Sequence, residues 1–523
     1  MFKENLLRMK RTKLKTFAAL SIAVMCGTAM FTGCRVQQER PEATAENVII
    51  QYWHSGDGVD YVKLAADNFN ASQSDYVVYP IPNASAGAMV ETFGHADIDE
   101  TTLYMATLNG IGEDRLNKYA EPLNEVFEAD VDGKGVKIKE KINPYFLDSL
   151  YDSTGTNVLR STYGGGWCGL VYNSDILGDE DFPVPVTSDE LYDLCISLRN
   201  DKGIKPFIHF KNSNYLEYVY QTWAVQYDGL DDYYNTFFPL KDGNELNSQK
   251  ILVRKDGRKK ALDAFAKVLT PENTYDGSNS YTYIEAQTNF VNGKAAMMAN
   301  GGWLIREMKV KKDNLRMMKT PVISSIREKC PSIGSDTELR ALIRAIDVCK
   351  KAEDVALTGN GYDCAAEDVK RVWEARNLMF SNFDQHVVVM PNYSVAKKAG
   401  KEFLKYFYSD KCINDMVELT HLALPFTTSD GSVPDMTGWK KFEKDMQVFT
   451  ETMTPILYRT GSMSPIFSKG GARPFGKLGG TPNIPLLFST TNPADRKTSD
   501  EMWELIVSTH NAEWNNYKVN AGL

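Results

Sequence analysis

The chain has 523 residues, 59 of them Lys or Arg and 68 Asp or Glu, and 43% are hydrophobic. That length exceeds what one hydrophobic core usually holds, so at least two domains are expected. Most of the positive excess at the start of the chain precedes Cys34, which leaves residues 34–523 with a net charge of −14 and argues against a nucleic-acid partner.

In chain order, Lys3, Arg8, Lys10, Arg11, Lys13 and Lys15 are followed by an apolar run from Phe17 to Phe31, the pattern of a secretory signal. The run is about 15 residues, shorter than the roughly 20 that a membrane-spanning helix needs. It ends in Phe31-Thr32-Gly33-Cys34, which resembles a bacterial lipobox with Phe31 in place of the usual Leu. That resemblance implies a signal peptide over 1–33 and a lipidated Cys34 that anchors the chain to the outer face of the cell membrane. Residues 34–47 are then a polar tether.

Val48–Trp53 reads as a buried strand that stops at the turn signal Ser55-Gly56-Asp57-Gly58. Val59, Val62, Ala65, Ala66 and Phe69 recur at helical spacing, and Tyr76–Ile81 is again strand-like. This β-α-β order implies a parallel pair and places His54, Ser55 and Asp57 at a cleft outside the strand ends. Glu128, Asp130 and Asp132 hint at a calcium loop, but position twelve holds a lysine where an EF-hand needs Glu, so an acidic turn is expected. Thr187 with Glu190, and Ser335 with Glu338, have the spacing of capping boxes that open amphipathic helices. No zinc cluster, P-loop, dinucleotide fingerprint, GxSxG or HExxH pattern is present, so neither a cofactor nor a catalytic residue is assigned. Cys168, Cys195, Cys330, Cys349, Cys364 and Cys412 are scattered, which favours buried thiols and leaves one bridge among Cys330, Cys349 and Cys364 open.

Four segments together resemble the family 1 extracellular solute-binding proteins, the maltose-binding-like receptors of ABC importers. Trp53-His54-Ser55 follows the first strand, as the family's "WHS" does. Gly169–Leu177 is similar to "GLxYNxDLF", and Phe290–Trp303 to "FxxGKAAMxxxGxW". Val387–Pro425 is similar to the strand and helix "IpxxSKnkeaAxxFlkfl". The resemblance implies an α/β periplasmic-binding-protein-like fold of two lobes, each a sheet flanked by helices, with the ligand cleft between them. Lobe one is expected at 48–165 and 320–415, with an insertion at 324–384. Lobe two is expected at 166–319 and 416–523, including a C-terminal extension. It further implies a monomeric, non-enzymatic receptor that delivers a carbohydrate, expected to be an oligosaccharide, to the transmembrane subunits of an importer. A peptide or other small solute in the same fold, and a surface-anchored glycan-degrading enzyme, stay open as alternatives.

A sugar offers apolar C–H faces and a ring of hydroxyls, so its site needs aromatic platforms and a few fixed polar groups. Trp53, Trp167, Trp223 and Trp303 are the candidate platforms. Trp167 follows Gly164-Gly165-Gly166 and Trp303 follows Gly301-Gly302, glycine tracts expected to expose them. His54, Ser55 and Asp57 are the candidate polar contacts, with Asn300, Arg306 and Arg473 weaker ones. Trp373, Trp439, Trp503 and Trp514 are expected to be structural.

Overall fold

A computed structural model describes residues 41–53, 59–108, 111–152, 154–211, 215–237, 256–457, 466 and 483–522. The signal segment, Cys34, His54, Ser55, Asp57, Arg473 and the glycines between 461 and 480 lie outside the described residues. The strands are β1 (Asn47–Trp53), β2 (Val77–Asn83), β3 (Leu103–Thr107), β4 (Ser161–Thr162), β5 (Trp167–Asn173), β6 (Met297–Gly301) and β7 (Leu315–Met317). They continue with β8 (Thr358–Gly359), β9 (Tyr362–Asp363), β10 (Leu378–Ser381), β11 (His386–Val389) and β12 (Thr454–Ile456).

Two five-stranded sheets organise the chain. The first runs β2-β1-β3-β11-β4, and the second runs β12-β10-β5-β6 with β7 also paired to β5. The β-branched run at β1 pairs in parallel with both β2 and β3, as the β-α-β reading requires. The intervening helix, Val59–Ser72, buries Val62, Ala65, Ala66 and Phe69 against the sheet. Alternation along the strands separates the faces. Leu103 and Met105 of β3 enter one core, while Tyr104 and Ala106 enter another with Phe93 and Leu116. In the second sheet Cys168, Leu170 and Tyr172 face a large core built with the helices Ser188–Asp201, Leu216–Asp228 and Asp256–Val268, while Trp167 and Val171 face the opposite way.

The two capping signals hold, with one difference. Ser335 and Glu338 form a full reciprocal box, and the helix they open buries Leu339, Leu342, Ile343 and Ile346. Thr187 caps Glu190 N–H, but the Glu190 carboxylate reaches one residue further back, to Val186 N–H at 2.6 Å.

The segment 320–415, expected to return whole to the first lobe, is divided by strand pairing. β10 lies between β5 and β12 in the second sheet, and only β11 joins the first. The helices Asp336–Ile346 and Ala366–Arg376 accordingly pack into the large core of the second sheet. Residues 410–429 also belong with the first sheet. The helix Asp410–Thr420 packs on Val59–Ser72, with Asn68 Nδ2 donating to Asp415 Oδ2 at 3.0 Å, and Phe426 bridges Ile142.

The acidic turn is occupied by protein donors. Glu128 pairs with Lys137 and Lys139, and Asp130 accepts from the Lys134 and Gly135 amides. The buried Lys141 ammonium sits among Asp132 Oδ2 at 2.5 Å, Asp410 Oδ1 at 2.7 Å and the Tyr408 carbonyl at 2.7 Å, the place a cation would take. Cys330, Cys349 and Cys364 are free thiols.

Candidate functional site: a cleft between two sheet edges

Strand register aligns one edge of each sheet. In the first sheet Trp53 lies beside Asn83, Thr107 opposite His386, and Thr162 opposite Val387. The carboxyl ends of β1 to β4 therefore share an edge with the start of β11. In the second sheet Trp167 lies opposite Ser381, Cys168 opposite Gly301, and Phe380 beside Ile456. The start of β5 and the ends of β6, β10 and β12 therefore share an edge as well. The chain passes from one edge to the other at Tyr163–Gly166 and again at Asn382–Gln385, so both edges adjoin this crossing. Ligands in open α/β sheets bind outside such strand ends.

The glycine tracts serve this crossing. Gly165 has φ +117°, and a Cβ there would stand 2.7 Å from Phe383 Cα. A Cβ on Gly164 would strike the Tyr61 hydroxyl, which donates to the Tyr163 carbonyl at 2.7 Å. Gly166 N–H donates to Asn382 Oδ1 at 2.8 Å and Gly166 carbonyl accepts from Asn382 N–H at 3.1 Å, so the two crossing strands are bonded to each other. Gly302 N–H donates to the Trp167 carbonyl at 3.0 Å, which brings the second tract against the first. At Gly165 backbone approaches backbone, and only glycine leaves the room there.

The expected platforms separate. Trp167 is fully buried, with its ring edge-on to Phe383 at 5.9 Å and its indole N–H donated to the Thr450 hydroxyl at 3.0 Å. Trp223 is also fully buried, packed on Phe265 at 4.9 Å, with its N–H given to the Pro321 carbonyl at 2.9 Å. Both are packing residues, because their faces and their donors are already used inside the protein. Trp53 is half-buried on the first edge, 6.0 Å from the His386 ring. Trp303 stands on the second edge and opens the short helix Leu304–Glu307, but against expectation it too is buried, 8% exposed, as part of the large core of the second sheet. Its ring lies edge-on to Tyr215 at 5.5 Å and to Tyr218 at 6.4 Å.

Tyr215 and Tyr218, which sequence reading passed over, complete a column on this edge. Tyr218 stacks on Phe380 at 4.9 Å with 14° between the planes, and Tyr215 stacks on Tyr218 at 5.3 Å with 22°. Their three-residue spacing at the head of the helix Leu216–Asp228 was the available signal, since such residues share a helix face. Burial, reinforced by Glu307, raises the Tyr215 hydroxyl well above its usual range and keeps it a hydrogen-bond donor.

The polar candidates also divide. Asn300 is fully buried and its Oδ1 accepts the Gly301 N–H at 2.8 Å, so it shapes the turn before Trp303. Arg306 donates to the Thr420 carbonyl from Nε at 3.1 Å and Nη2 at 2.6 Å. On the first edge, Asn382 Nδ2 lies 3.3 Å from His386 Nε2, and burial pushes His386 down to about 4. Arg160 feels the carboxylates of Asp384 and Glu113, although burial, the larger effect, lowers it.

The family model described as a bacterial extracellular solute-binding protein matches residues 64–444, well over half of the chain. The chain belongs to the bacterial extracellular solute-binding proteins. Among solved structures, this solute-binding protein is similar to the bacterial solute receptor AcbH, reported to prefer β-D-galactopyranose exclusively. The TM-score is 0.58 at 11% identity, over 91% of this chain and 99% of that one. It is similar to the GacH receptor of Streptomyces glaucescens, solved unliganded and with acarbose, with TM-score 0.54 at 15% identity over 90% and 100% of the two chains. The Thermus thermophilus maltotriose binding protein, solved with maltotriose, gives TM-score 0.53 at 15% identity over 88% and 99%. At these identities the likeness is one of fold, a two-lobed α/β architecture of the maltose-binding type. No curated protein sequence matches this solute-binding protein. Among its described residues no helix is long and apolar enough to cross a membrane.

Proposed function

We propose that this solute-binding protein is the receptor of an ABC importer, anchored through lipid on Cys34 outside the cytoplasmic membrane. It captures a carbohydrate, an oligosaccharide in its preferred form, between its two lobes and delivers it to the transmembrane subunits. The observation that carries this reading is the Phe380–Tyr218–Tyr215 column with Trp303 beside it at one edge of the second sheet, with Trp53 at the carboxyl edge of the first. Phe380 and Trp303 are buried supports, and the half-buried Tyr215 and Tyr218 are the members that offer ring surface and hydroxyls to a sugar. The sugar ligands of AcbH, GacH and the maltotriose binding protein support the same choice. Lobe closure follows if contacts are better in the closed state than in the open one.

The test is the thermal unfolding midpoint of the chain from Arg35 onward, against mono- and oligosaccharides, peptides and amino acids. A ligand at 100 times its dissociation constant adds about 2.7 kcal/mol of stability, which a midpoint resolves. A saturable rise with an oligosaccharide that is recovered intact is expected. A rise with peptides alone, or consumption of the sugar, contradicts the proposal.

A further inference from the structure

The third passage between the lobes differs from the first two. The first-lobe helix Asp410–Thr420 ends at His421, which adopts φ 51° and ψ 29° and returns its N–H to Val417 at 2.7 Å. The chain stays with the first sheet through Ser429, whose N–H and hydroxyl bond Asp410, and reaches the second lobe at the helix Lys441–Thr452. That helix is fixed to β7 by the Asp445 carboxylate, which takes the Arg316 guanidinium in two bonds of 2.6 and 2.7 Å and the Met317 N–H at 3.0 Å.

Two side-chain ties join the lobes beside this connection. From the second lobe, Arg306 grips the Thr420 carbonyl with two donors, at the carbonyl end of the first-lobe helix where a cation is favoured. From the first lobe, His421 Nδ1 lies 3.0 Å from Glu443 Oε2 of the second-lobe helix, and its ring stacks on Trp439 at 5.0 Å with 17° between the planes. Both ties border a small cavity lined also by Gly165, Gly166 and Gly302, the glycines of the crossing. Arg306 is one helical turn beyond Trp303, so the tie and the candidate platform sit on the same short segment.

We propose that Arg306, supported by His421, is a positioning residue of the cleft. Its hold on the end of the first-lobe helix fixes the Gly301–Glu307 turn, and with it Trp303, relative to the first lobe, and so sets the range of lobe separations the protein samples before ligand arrives. This rests on the two-lobed receptor reading above but not on the identity of the solute. A receptor with a narrow range of separations keeps more of its population competent to bind, and apparent affinity scales with that fraction.

The experiment measures the distance between spin labels on the chain from Arg35 onward, which lacks Cys26 and Cys34, with no ligand added. Labels replace Ile98 of the first lobe and Ile284 of the second, both well exposed, with Cys349→Ser removing the partly exposed thiol. Arg306→Ala is expected to broaden the distance distribution, Arg306→Lys to restore most of it through a single donor, and His421→Phe, which keeps the stacking, to broaden it less than Arg306→Ala. Arg306→Gln serves in place of alanine should that variant fold poorly. Unchanged distributions in folded Arg306→Ala or Arg306→Gln, with faster amide exchange confined to the last turn of Asp410–Thr420, would overturn the proposal and leave Arg306 a local helix cap. Failure of every saccharide to bind would sink the carbohydrate reading and leave this distance result untouched.

Discussion

Trp167 and Trp303 stand on the same edge of the second sheet, each directly behind a glycine tract, and they do different work. Trp167 points into the core between the sheets, where it packs edge-to-face with Phe383 and Thr450 takes its N–H. Trp303, itself buried, turns toward two half-buried tyrosines that stack into a column with Phe380. Gly165 answers a need of the backbone and Gly301 leaves room for the Trp303 ring itself, while the other partners of each indole come from segments far away in sequence. A glycine before a tryptophan is therefore evidence of close packing and not of an exposed ring.

The largest effect that would sharpen this contrast is expected at Trp167. Trp167→Ala should cost about 3–5 kcal/mol in urea unfolding, the range for truncating a buried aromatic, and should leave solute affinity of the folded fraction unchanged. A loss of affinity with stability intact would reverse the roles. Gly165→Ala should cost about 3 kcal/mol, because a side chain at positive φ meets rigid backbone. Gly302→Ala is the control. Its added methyl would meet the flexible Met446 side chain at 3.4 Å, so its cost should stay below about 1 kcal/mol by the same unfolding measurement.

Acid should act through the buried histidines. His386 is held down to about 4 by burial, and so is His209, against about 6.5 in the unfolded chain. The unfolded chain thus binds more protons, so the stability each neutral imidazole contributes is complete above pH 6.5 and is lost as pH falls toward 4. The loss is on the order of 3 kcal/mol for each. His386→Gln should flatten the pH dependence of stability across that window by about one proton's worth, and an unchanged slope would place His386 outside the acid response. Apart from the Gly302→Ala control, the smallest effect is expected from Trp303→Phe, which keeps an apolar ring. Stability should change by less than about 1.5 kcal/mol, while saccharide affinity measured by calorimetry should fall about tenfold, a loss of about 1.4 kcal/mol.

Much of the fold is legible in the residues themselves. The β-branched run at β1, the apolar stripe from Val62 to Phe69 and the cap at Ser335 are local patterns whose periods match the structure they form. The assignment of 324–384 to the first lobe fails because sheet membership is set by pairing between Phe380 and Cys168, a long-range choice that no local period encodes. The site is less legible for the same reason. Trp223 carries the composition of a platform, yet Pro321 and Phe265 enclose it. Tyr215 and Tyr218 carry no glycine or motif to mark them, and become a column only when Phe380 is brought beneath them from the far side of the chain.

The most direct measurement is a saccharide titration followed through the indole N–H resonances of all eight tryptophans. Binding in the crevice should move the Trp303 and Trp53 signals along one saturable isotherm and leave Trp223, sealed in the core, in place. A saccharide that binds while Trp303 and Trp53 stay still would put the site elsewhere and contradict the aromatic column as its floor.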